Sequence, residues 1–286
     1  MLAAALCLGL FGSGVFSQES APTSRPSPPE RREFVVDGVA RSALIAAPRP
    51  SGDAKPPLVF VFHGHGGTAR QVLNSYGLRA AWPEALIVAM QGLPTPGITD
   101  PEGKKAGWQN QKGQQGDRDL AFFDAVYAAL AKENAFDKRR VYSTGHSNGG
   151  GFTYLLWAER PTLFAAFAPS SAGAAGKLLK LVPKPAMHIA GTEDPIVPYA
   201  NQRRTMNAVR LINRTENQGE AWSKEATLYA SSGGTPFLEV VHSGGHEFHR
   251  PAVELMVRFL KLHALPETKP ADSRPAAQPD RSAGAR

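Results

Sequence analysis

The chain has 286 residues, of which 42% are hydrophobic, and a formal net charge of +7. A chain of this length and composition can bury a sizeable core. Its Lys and Arg residues are scattered in short pairs such as Arg31-Arg32, with no stripe that interleaves them with aromatic residues. We therefore expect no nucleic-acid partner and interpret the positive charge as a solubility feature.

The first 17 residues, MLAAALCLGLFGSGVFS, form an apolar run that ends in a sequence suited to signal-peptidase cleavage after Ser17. We predict a signal peptide over 1–17 and a secreted or periplasmic protein. The run is too short for a comfortable membrane span, so no stable membrane insertion is expected. The single cysteine, Cys7, lies within it. A mature chain would therefore have no disulfide, cysteine nucleophile or cysteine-ligated metal.

Two Pro-rich segments bound the predicted domain. Residues 18–30 are rich in Pro and Ser and predict a linker, and residues 266–286 have a similar character and predict a disordered C-terminal tail. The segment 31–265 between them has about the length of one domain.

Within this domain, strand-like and helix-like runs alternate in chain order. Apolar runs flank Asp37-Gly38, which predicts a hairpin. The continuous apolar runs PLVFVFHG (57–64) and ALIVAMQG (85–92) predict buried strands. Residues 117–133 have helical spacing with Asp117 as N-cap, and residues 139–144 and 149–159 predict a strand and a helix. The alternation predicts an α/β fold, a mostly parallel central sheet flanked by helices in a single domain, with ligands beyond the carboxyl ends of the strands.

The sequence GHSNG (145–149) matches the pattern G-x-S-x-G between a predicted strand and a predicted helix. In that context the glycines permit a sharp turn, and Ser147 at its apex is exposed to a base. The backbone N–H of Asn148 faces the same space at a helix start, which favours negative charge. By itself the pattern is weak, because an ordinary glycine-rich turn has the same sequence.

The loop HGHGG (63–67), directly after a predicted strand, is a candidate for a second backbone donor, and we assign that donor to the N–H of His65. An alternative makes His63 and His65 metal ligands. No carboxylate cluster accompanies them, however, so we predict no metal and no cofactor.

A nucleophilic serine needs a base, and the base needs an acid that orients it. Asp194 follows the apolar run AMHIAG, with Glu193 as its competitor. His246 lies in a glycine-rich loop after FLEVVH, with His242 assigned to the strand and His249 to the approach of the last helix. Ser147, Asp194 and His246 thus occur in the order Ser, Asp, His, each after its own strand. We predict that they form a catalytic triad.

With these residues in place, the chain resembles the secreted esterases of the α/β-hydrolase fold that include polyhydroxybutyrate depolymerases, feruloyl esterases and acetyl xylan esterases. The resemblance covers about residues 33–263 and rests on five segments: PLVFVFHGHGG, GWQNQKGQQGDRDLAFFDAV, VYSTGHSNGGG, GTEDPIVPY and GGHEFHRP. It implies that 31–265 is an α/β-hydrolase catalytic domain, that Ser147, Asp194 and His246 are the nucleophile, acid and base, and that Asp117 and Asp119 anchor loops.

Two departures from the family pattern affect the expected substrate pocket. Relatives have disulfides near the site, which this chain cannot form, and their histidine loop continues with Trp and Pro where this one has Phe248. We assign Phe248 to substrate binding. Trp108 is a candidate aromatic platform for the substrate, with core packing as the equal alternative.

The function expected from the sequence is hydrolysis of short-chain, hydroxyalkanoate, feruloyl or acetyl esters through an acyl-enzyme. The partner is a small or oligomeric ester, linked to a polysaccharide or a polyester. Acyl transfer or peptidase activity on the same fold, or a non-catalytic binding protein on a hydrolase scaffold, are the alternatives.

Overall fold

The computed structural model describes residues 27–52 and 54–267. The predicted signal peptide with Cys7, most of the predicted linker and residues 268–286 of the predicted tail lie outside the described residues. The domain limits therefore stay predictions, although the first strand begins at Glu30, close to the expected start.

The described residues alternate between strands and helices. The strands are β1 Glu30–Val36, β2 Val39–Ala46, β3 Leu58–Phe62, β4 Leu86–Met90, β5 Leu93–Pro94, β6 Ala106–Gly107, β7 Val141–His146, β8 Ala166–Ser170, β9 Ala186–Gly191, β10 Glu220–Ala221, β11 Ala226–Tyr229 and β12 Phe237–His242. The helices are α1 Ala69–Ser75, α2 Leu78–Ala81, α3 Arg118–Lys132, α4 Asn148–Glu159, α5 Tyr199–Asn213 and α6 Ala252–Lys261, and shorter 3₁₀ segments cover Gln114–Asp117, Pro161–Leu163 and Ala175–Lys180.

Ten of these strands form one sheet, in the order β1-β2-β4-β3-β7-β8-β9-β12-β11-β10. Its six central strands, from β4 to β12, run parallel, and antiparallel strands close both edges. Every residue of β3, β4, β7, β8 and β9 is buried, as expected for parallel strands covered on both faces. The predicted α/β-hydrolase fold with a mostly parallel sheet is confirmed.

Side chains that alternate along the strands build a core on each face of the sheet. Phe60 and Phe62 of β3 point into one core, which also contains buried residues of α3, α4 and α5. Val59 and Val61 point into the other, together with residues of α1, α2 and α6. The helices therefore hold the strand ends rigidly, and the loops after β7, β9 and β12 extend from a fixed frame. Within residues 27–52 and 54–267, each helix is too short or too polar to cross a lipid bilayer.

The predicted hairpin forms at the sheet edge, where β1 and β2 pair from Val36 with Val39 outward. Its two turn residues, Asp37 and Gly38, have φ values of 49° and 77°. Positive φ at both central residues is the geometry of a tight turn that matches the twist of the strands.

The predicted N-cap position of Asp117 before α3 is confirmed, with φ 58°, but the capping hydrogen bond expected of its side chain does not form. Its carboxylate instead accepts hydrogen bonds from the Gly113 N–H and from Gln109 Nε2, both at 2.7 Å. A positive φ is incompatible with the extended backbone of a side-chain N-cap, so the carboxylate binds the preceding loop.

Candidate active site

Ser147 lies in the turn between β7 and α4 with φ 56° and ψ −120°, a conformation unfavourable for a residue with a side chain. The flanking glycines are required by close packing. A Cβ on Gly145 would overlap the backbone of Gly149, and one on Gly149 would overlap the carbonyls of Phe62 and His63. The Ser147 N–H donates to the Ser170 carbonyl on β8 at 2.9 Å, which fixes the turn to the sheet.

The structure brings Ser147, Asp194 and His246 together at the carboxyl ends of β7, β9 and β12. His246 Nε2 lies 2.8 Å from Ser147 Oγ, and His246 Nδ1 lies 2.8 Å from Asp194 Oδ2 and 3.0 Å from Oδ1. An ionised carboxylate only accepts hydrogen bonds, so Nδ1 carries the proton and Nε2 accepts from the serine hydroxyl. These distances are within reach for proton transfer from serine to imidazole.

Asp194 has the environment of an ionised acid. Burial alone would raise its pKa, but hydrogen bonds from His246 and from the amides of Val197 and Ile196 outweigh this and hold the pKa below its ordinary value. The competing Glu193 is exposed, and its backbone N–H donates to the Gly244 carbonyl. The structure thus brings Asp194, and not Glu193, to the imidazole.

The other two histidines of this region clamp the loop that carries His246. The rings of His242 and His249 stack at 4.0 Å with 7° between their planes. His242 Nδ1 accepts from the Gly244 N–H at 3.1 Å, and His249 Nε2 lies 2.8 Å from Glu225 Oε2. The stack holds residues 243–248 at both ends.

This clamp also comes near the geometry of a metal site, since ligand atoms of His242, Glu247 and His249 lie within 4.8 Å of one another. A metal ion lies in the plane of each imidazole that binds it. Two parallel rings stacked at 4.0 Å cannot both direct a ring nitrogen at one ion, so the cluster as arranged does not fit a metal centre.

The two amides predicted to bind an oxyanion belong to residues at the cavity wall beside Ser147, His65 in the loop after β3 and Asn148 at the start of α4. Among the described residues, neither amide donates a hydrogen bond to another protein group. His65 and His63 both have structural partners for their rings. His65 Nε2 lies 3.1 Å from Asp100 Oδ2, and His63 Nε2 accepts from the Gly92 N–H at 3.0 Å.

The side chain of Asn148 has a role that the sequence alone does not predict. Its Oδ1 accepts from the Trp108 N–H at 2.6 Å and its Nδ2 donates to the Trp108 carbonyl at 3.0 Å. The carboxamide pairs with this backbone as a neighbouring strand would, and thereby ties the residue after the nucleophile to the segment between β6 and α3. A side-chain amide at the second x of G-x-S-x-G is the only sequence signal for this contact.

Trp108 is not a substrate platform, which corrects that prediction. Its side chain is fully buried, its ring packs against Phe62 and Phe152 with centroids 5.2 and 5.3 Å away, and its Nε1 donates to the His63 carbonyl. A ring enclosed in this way has no face for a ligand. Of the two alternatives left open by the sequence, core packing is correct.

Phe248 is half-buried beside the site. Its ring stacks on Tyr76 with centroids 3.7 Å apart and 4° between the planes. Both residues line a cavity of about 460 Å³, the Phe248 cavity, with Ser147 and His246 in its wall. The predicted substrate contact is compatible with this position and stays a prediction.

A second cavity, of about 560 Å³, also opens beside Ser147. We call it the Arg204 cavity. Its wall combines apolar side chains with a few polar ones and includes Ile98, Asn110, Leu178, Ile196 and Arg204. Ser147 and His65 line both cavities, so the nucleophile stands between two spaces that could hold the two halves of a substrate.

Behind Asp194 runs a chain of buried hydrogen bonds that sequence reasoning does not find. Gln202 Nε2 donates to Asp194 Oδ2 at 3.0 Å, and Gln202 Oε1 lies 3.2 Å from His188 Nε2. His188 Nδ1 lies 2.8 Å from the Tyr154 hydroxyl. Because the Gln202 amide nitrogen is a donor here, its oxygen accepts from His188, and Nδ1 accepts from Tyr154. Every donor in this series of hydrogen bonds thus points toward Asp194.

The loop before α3 is anchored by Asp119 and Asp117, as the family resemblance implies. Asp119 forms an ion pair with Arg41 of β2 at 2.7 Å, with side chains 0% and 1% exposed, and accepts from the Gln109 N–H at 2.8 Å. Asp117 accepts from the Gln109 side chain at 2.7 Å. These contacts join the edge hairpin to the loop that holds Trp108 in place.

Comparison with known proteins identifies the family. Residues 101–176 match the prolyl oligopeptidase family. Feruloyl esterase C of Emericella nidulans is 30% identical to the chain over 271 residues, which cover 86% of this chain and 92% of that protein. The chain belongs to the family of α/β-hydrolase esterases that includes feruloyl esterase C.

Two further similarities agree with membership of the esterase family. Feruloyl esterase D of Neurospora crassa is 26% identical over 173 residues, covering 58% of this chain and 53% of that one. The structure of acetyl xylan esterase from Aspergillus awamori superposes with a TM-score of 0.63 at 13% identity, covering 81% of this chain and 99% of that one. At this identity the superposition shows the fold, which is that of the esterase family.

Proposed function

We propose that the chain is a serine carboxylesterase in which Ser147, His246 and Asp194 act as nucleophile, base and acid. The observation that carries the proposal is the pair of contacts of His246, 2.8 Å to Ser147 Oγ and 2.8 Å to Asp194 Oδ2. Such an arrangement activates a hydroxyl that is otherwise a weak nucleophile at neutral pH.

In the proposed reaction, His246 accepts the proton of the Ser147 hydroxyl as its oxygen attacks the ester carbonyl. Asp194 holds the imidazole and stabilises its charged form. The N–H groups of His65 and Asn148 bind the oxyanion of the tetrahedral intermediate, a contribution typically worth ~10²–10³ in rate for each donor. Collapse of this intermediate releases the alcohol, with the proton from His246, and leaves the acyl group on Ser147. Water then releases the acid by the same steps.

The substrates we propose are short-chain, hydroxyalkanoate, feruloyl or acetyl esters, including those linked to polysaccharides or polyesters. Support comes from the similarity to feruloyl esterase C over most of both chains and from the largely apolar wall of the Arg204 cavity beside Ser147. Export, after cleavage of the predicted signal peptide, belongs to the proposal and rests on the composition of residues 1–17.

The test is a substrate panel of p-nitrophenyl acetate, p-nitrophenyl butyrate, methyl ferulate and hydroxybutyrate oligomers, measured with the natural chain and with Ser147→Ala. We expect hydrolysis of short acyl esters by the natural chain and a loss of at least ~10³ in kcat/KM in the variant. Equal turnover by the two proteins would remove Ser147 from the mechanism.

Peptidase activity is a second candidate, because residues 101–176 match the prolyl oligopeptidase family. A p-nitroanilide of an N-blocked proline dipeptide, included in the same panel, separates the two activities. We expect kcat/KM for this amide to be far below that for p-nitrophenyl acetate. The reverse order would favour the peptidase.

A further inference from the structure

The Arg204 cavity has a distribution of charge that a neutral ester does not require. Its walls are largely apolar, with contributions from Ile98, Leu178 and Ile196. Arg204 stands in the wall, its Nη1 donating to the Asn201 side chain at 3.2 Å. Among the described residues that line this cavity, none is Asp or Glu. A guanidinium in this position adds little to the binding of a neutral substrate, whereas it attracts an anionic substrate.

A second cation lies directly behind the wall. The side chain of Lys177 is buried, with 3% of the residue exposed, and its Nζ donates to the Asn110 carbonyl at 2.9 Å and to Asn110 Oδ1 at 2.8 Å. Lys177 forms no salt bridge with a carboxylate of the described residues. Burial lowers its pKa to about 8, so it is still charged at neutral pH. A buried ammonium that meets only neutral oxygens lacks the counter-charge that such groups ordinarily have.

Lys177 also determines what Asn110 presents to the cavity. Because Nζ occupies Asn110 Oδ1, the amide nitrogen is the end of the carboxamide left to bind a ligand. Asn110 lines the cavity, and its Oδ1 would lie 3.1 Å from a Cβ added to Gly151, so the side chain lies against the first turn of α4, close to the nucleophile. Asn110 is therefore a cavity-lining residue whose oxygen is held by a positive charge and whose other polar end is an N–H donor.

We propose that the Arg204 cavity binds a carboxylate carried by the ester substrate, through the Asn110 amide, the Arg204 guanidinium and the charge of Lys177. The substrate class is an ester with a free acid group on the half that occupies this cavity. This inference rests on the proposed esterase function and specifies its substrate.

The acidic side chains near this cavity are hydrogen-bonded to groups other than Arg204 and Lys177. Asp100 contacts the cavity-lining His65, and its Oδ2 accepts from His65 Nε2 and from the Lys105 N–H. Asp194 accepts from the amides of Ile196 and Val197, in addition to His246. Neither of these carboxylates pairs with Arg204 or Lys177, so both cations are left for a substrate carboxylate in the Arg204 cavity.

The experiment compares acids with matched neutral amides. One pair carries the charge on the acyl side, p-nitrophenyl hydrogen adipate against p-nitrophenyl adipamate. The other carries it on the leaving alcohol, 4-acetoxybenzoate against 4-acetoxybenzamide. The measured quantity, the acid preference, is the ratio of kcat/KM for the acid to that for the amide within one protein.

We expect an acid preference above ~10 in at least one pair, and the responding pair identifies which half of the substrate enters the cavity. Arg204→Gln should lower the preference about 3- to 5-fold, as for an exposed charge contact. Asn110→Asp keeps the size of the side chain and the oxygen that Lys177 binds, but replaces the donor with an anion. It should lower the preference at least ~10-fold. Arg203→Gln is the matched control, an exposed arginine of the same helix that does not line the cavity.

A preference that is equal in the natural chain, Arg204→Gln and Asn110→Asp would overturn the inference while leaving the esterase function intact. Calorimetric titration of Ser147→Ala with adipate measures carboxylate binding independently of catalysis. We expect binding that Asn110→Asp weakens in the Ser147→Ala background. If no ester is hydrolysed, the proposed function fails, and this titration alone then supports or refutes the anion site.

Discussion

Ser147 has a backbone conformation that its proposed chemistry requires but that lowers the stability of the folded protein. With φ 56° and ψ −120°, the serine projects from the turn toward His246, and a residue with a Cβ in such a region carries a strain of ~1–3 kcal/mol. Strain of this kind persists only where the surroundings enforce it, here the packing of Gly145 and Gly149. The nucleophile is therefore the position at which stability and activity oppose each other most directly.

We predict that Ser147→Gly is more stable than Ser147→Ala by about 1 kcal/mol, because glycine adopts positive φ without strain whereas alanine retains it. For a domain of this size, that corresponds to about 2–4 °C in Tm. Both variants lack the hydroxyl, so thermal unfolding compares the backbone alone.

Ser75 supplies the control for this comparison, since it is an exposed residue of α1 without a positive φ. There the order should reverse, with Ser75→Gly less stable than Ser75→Ala, as in any helix. If glycine proved less stable than alanine at both positions, Ser147 would not be strained.

At the residue scale, the sequence predicts those side chains whose chemistry demands a local pattern. A nucleophile needs a glycine turn, and an acid and a base need loops after strands, so Ser147, Asp194 and His246 can be selected from the sequence. Trp108 carries no such pattern, because a tryptophan between glycine and polar residues suits either a pocket or a core. Its burial follows from how its backbone pairs with Asn148, a contact 40 residues apart in the chain.

At the scale of elements, the buried strands are predictable and their supports are not. Continuous apolar runs identify β3 and β4, since parallel central strands are covered on both faces. Gln202 lies on α5, eight residues after Asp194, and its partners come from β9 and the loop before the helix. No periodicity marks such a residue, because its position is decided by tertiary packing.

We predict that Gln202→Leu lowers kcat/KM about 10-fold by removing a donor to Asp194. Since a hydrogen bond to the ionised carboxylate lowers its pKa, removing one raises the pKa of Asp194. The acid limb of the pH profile of kcat/KM should therefore move to higher pH. Measuring kcat/KM from pH 4 to 8 tests both effects. Arg203→Gln, exposed on the same helix, should leave the profile unchanged, and an unshifted limb in Gln202→Leu would contradict the role.

At the scale of the whole molecule, buried histidines make stability depend on pH. Burial lowers the pKa of His63 and His188 to about 4, and burial together with the charge of His246 lowers that of His146 to about 3. In the unfolded chain each imidazole takes up a proton near pH 6.5. Between these values the unfolded state binds more protons than the folded state, so the free energy of unfolding decreases as the pH falls through this window.

We predict that Tm decreases steadily from pH 7 to pH 5, with up to ~1.4 kcal/mol lost per pH unit for each such histidine. His263, whose pKa burial also lowers to about 4, allows a test away from the site. His263→Gln removes one titrating group and should reduce the loss between pH 7 and 5 by about 1 kcal/mol. Calorimetry at several pH values measures this, and a Tm that is constant or rises toward pH 5 would contradict it.

The buried hydrogen bonds behind Asp194 begin and end on one helix. Ser147 precedes the first turn of α4 and Tyr154 lies two turns further along it, while His188, Gln202, Asp194 and His246 close the circuit between them. Any displacement of α4 would thus disturb the attacking oxygen and the support of its distant carboxylate in the same event. Displacement of α4 should therefore abolish turnover completely in each molecule in which it occurs. The fraction of molecules that remain active then equals the fraction in which α4 keeps its position.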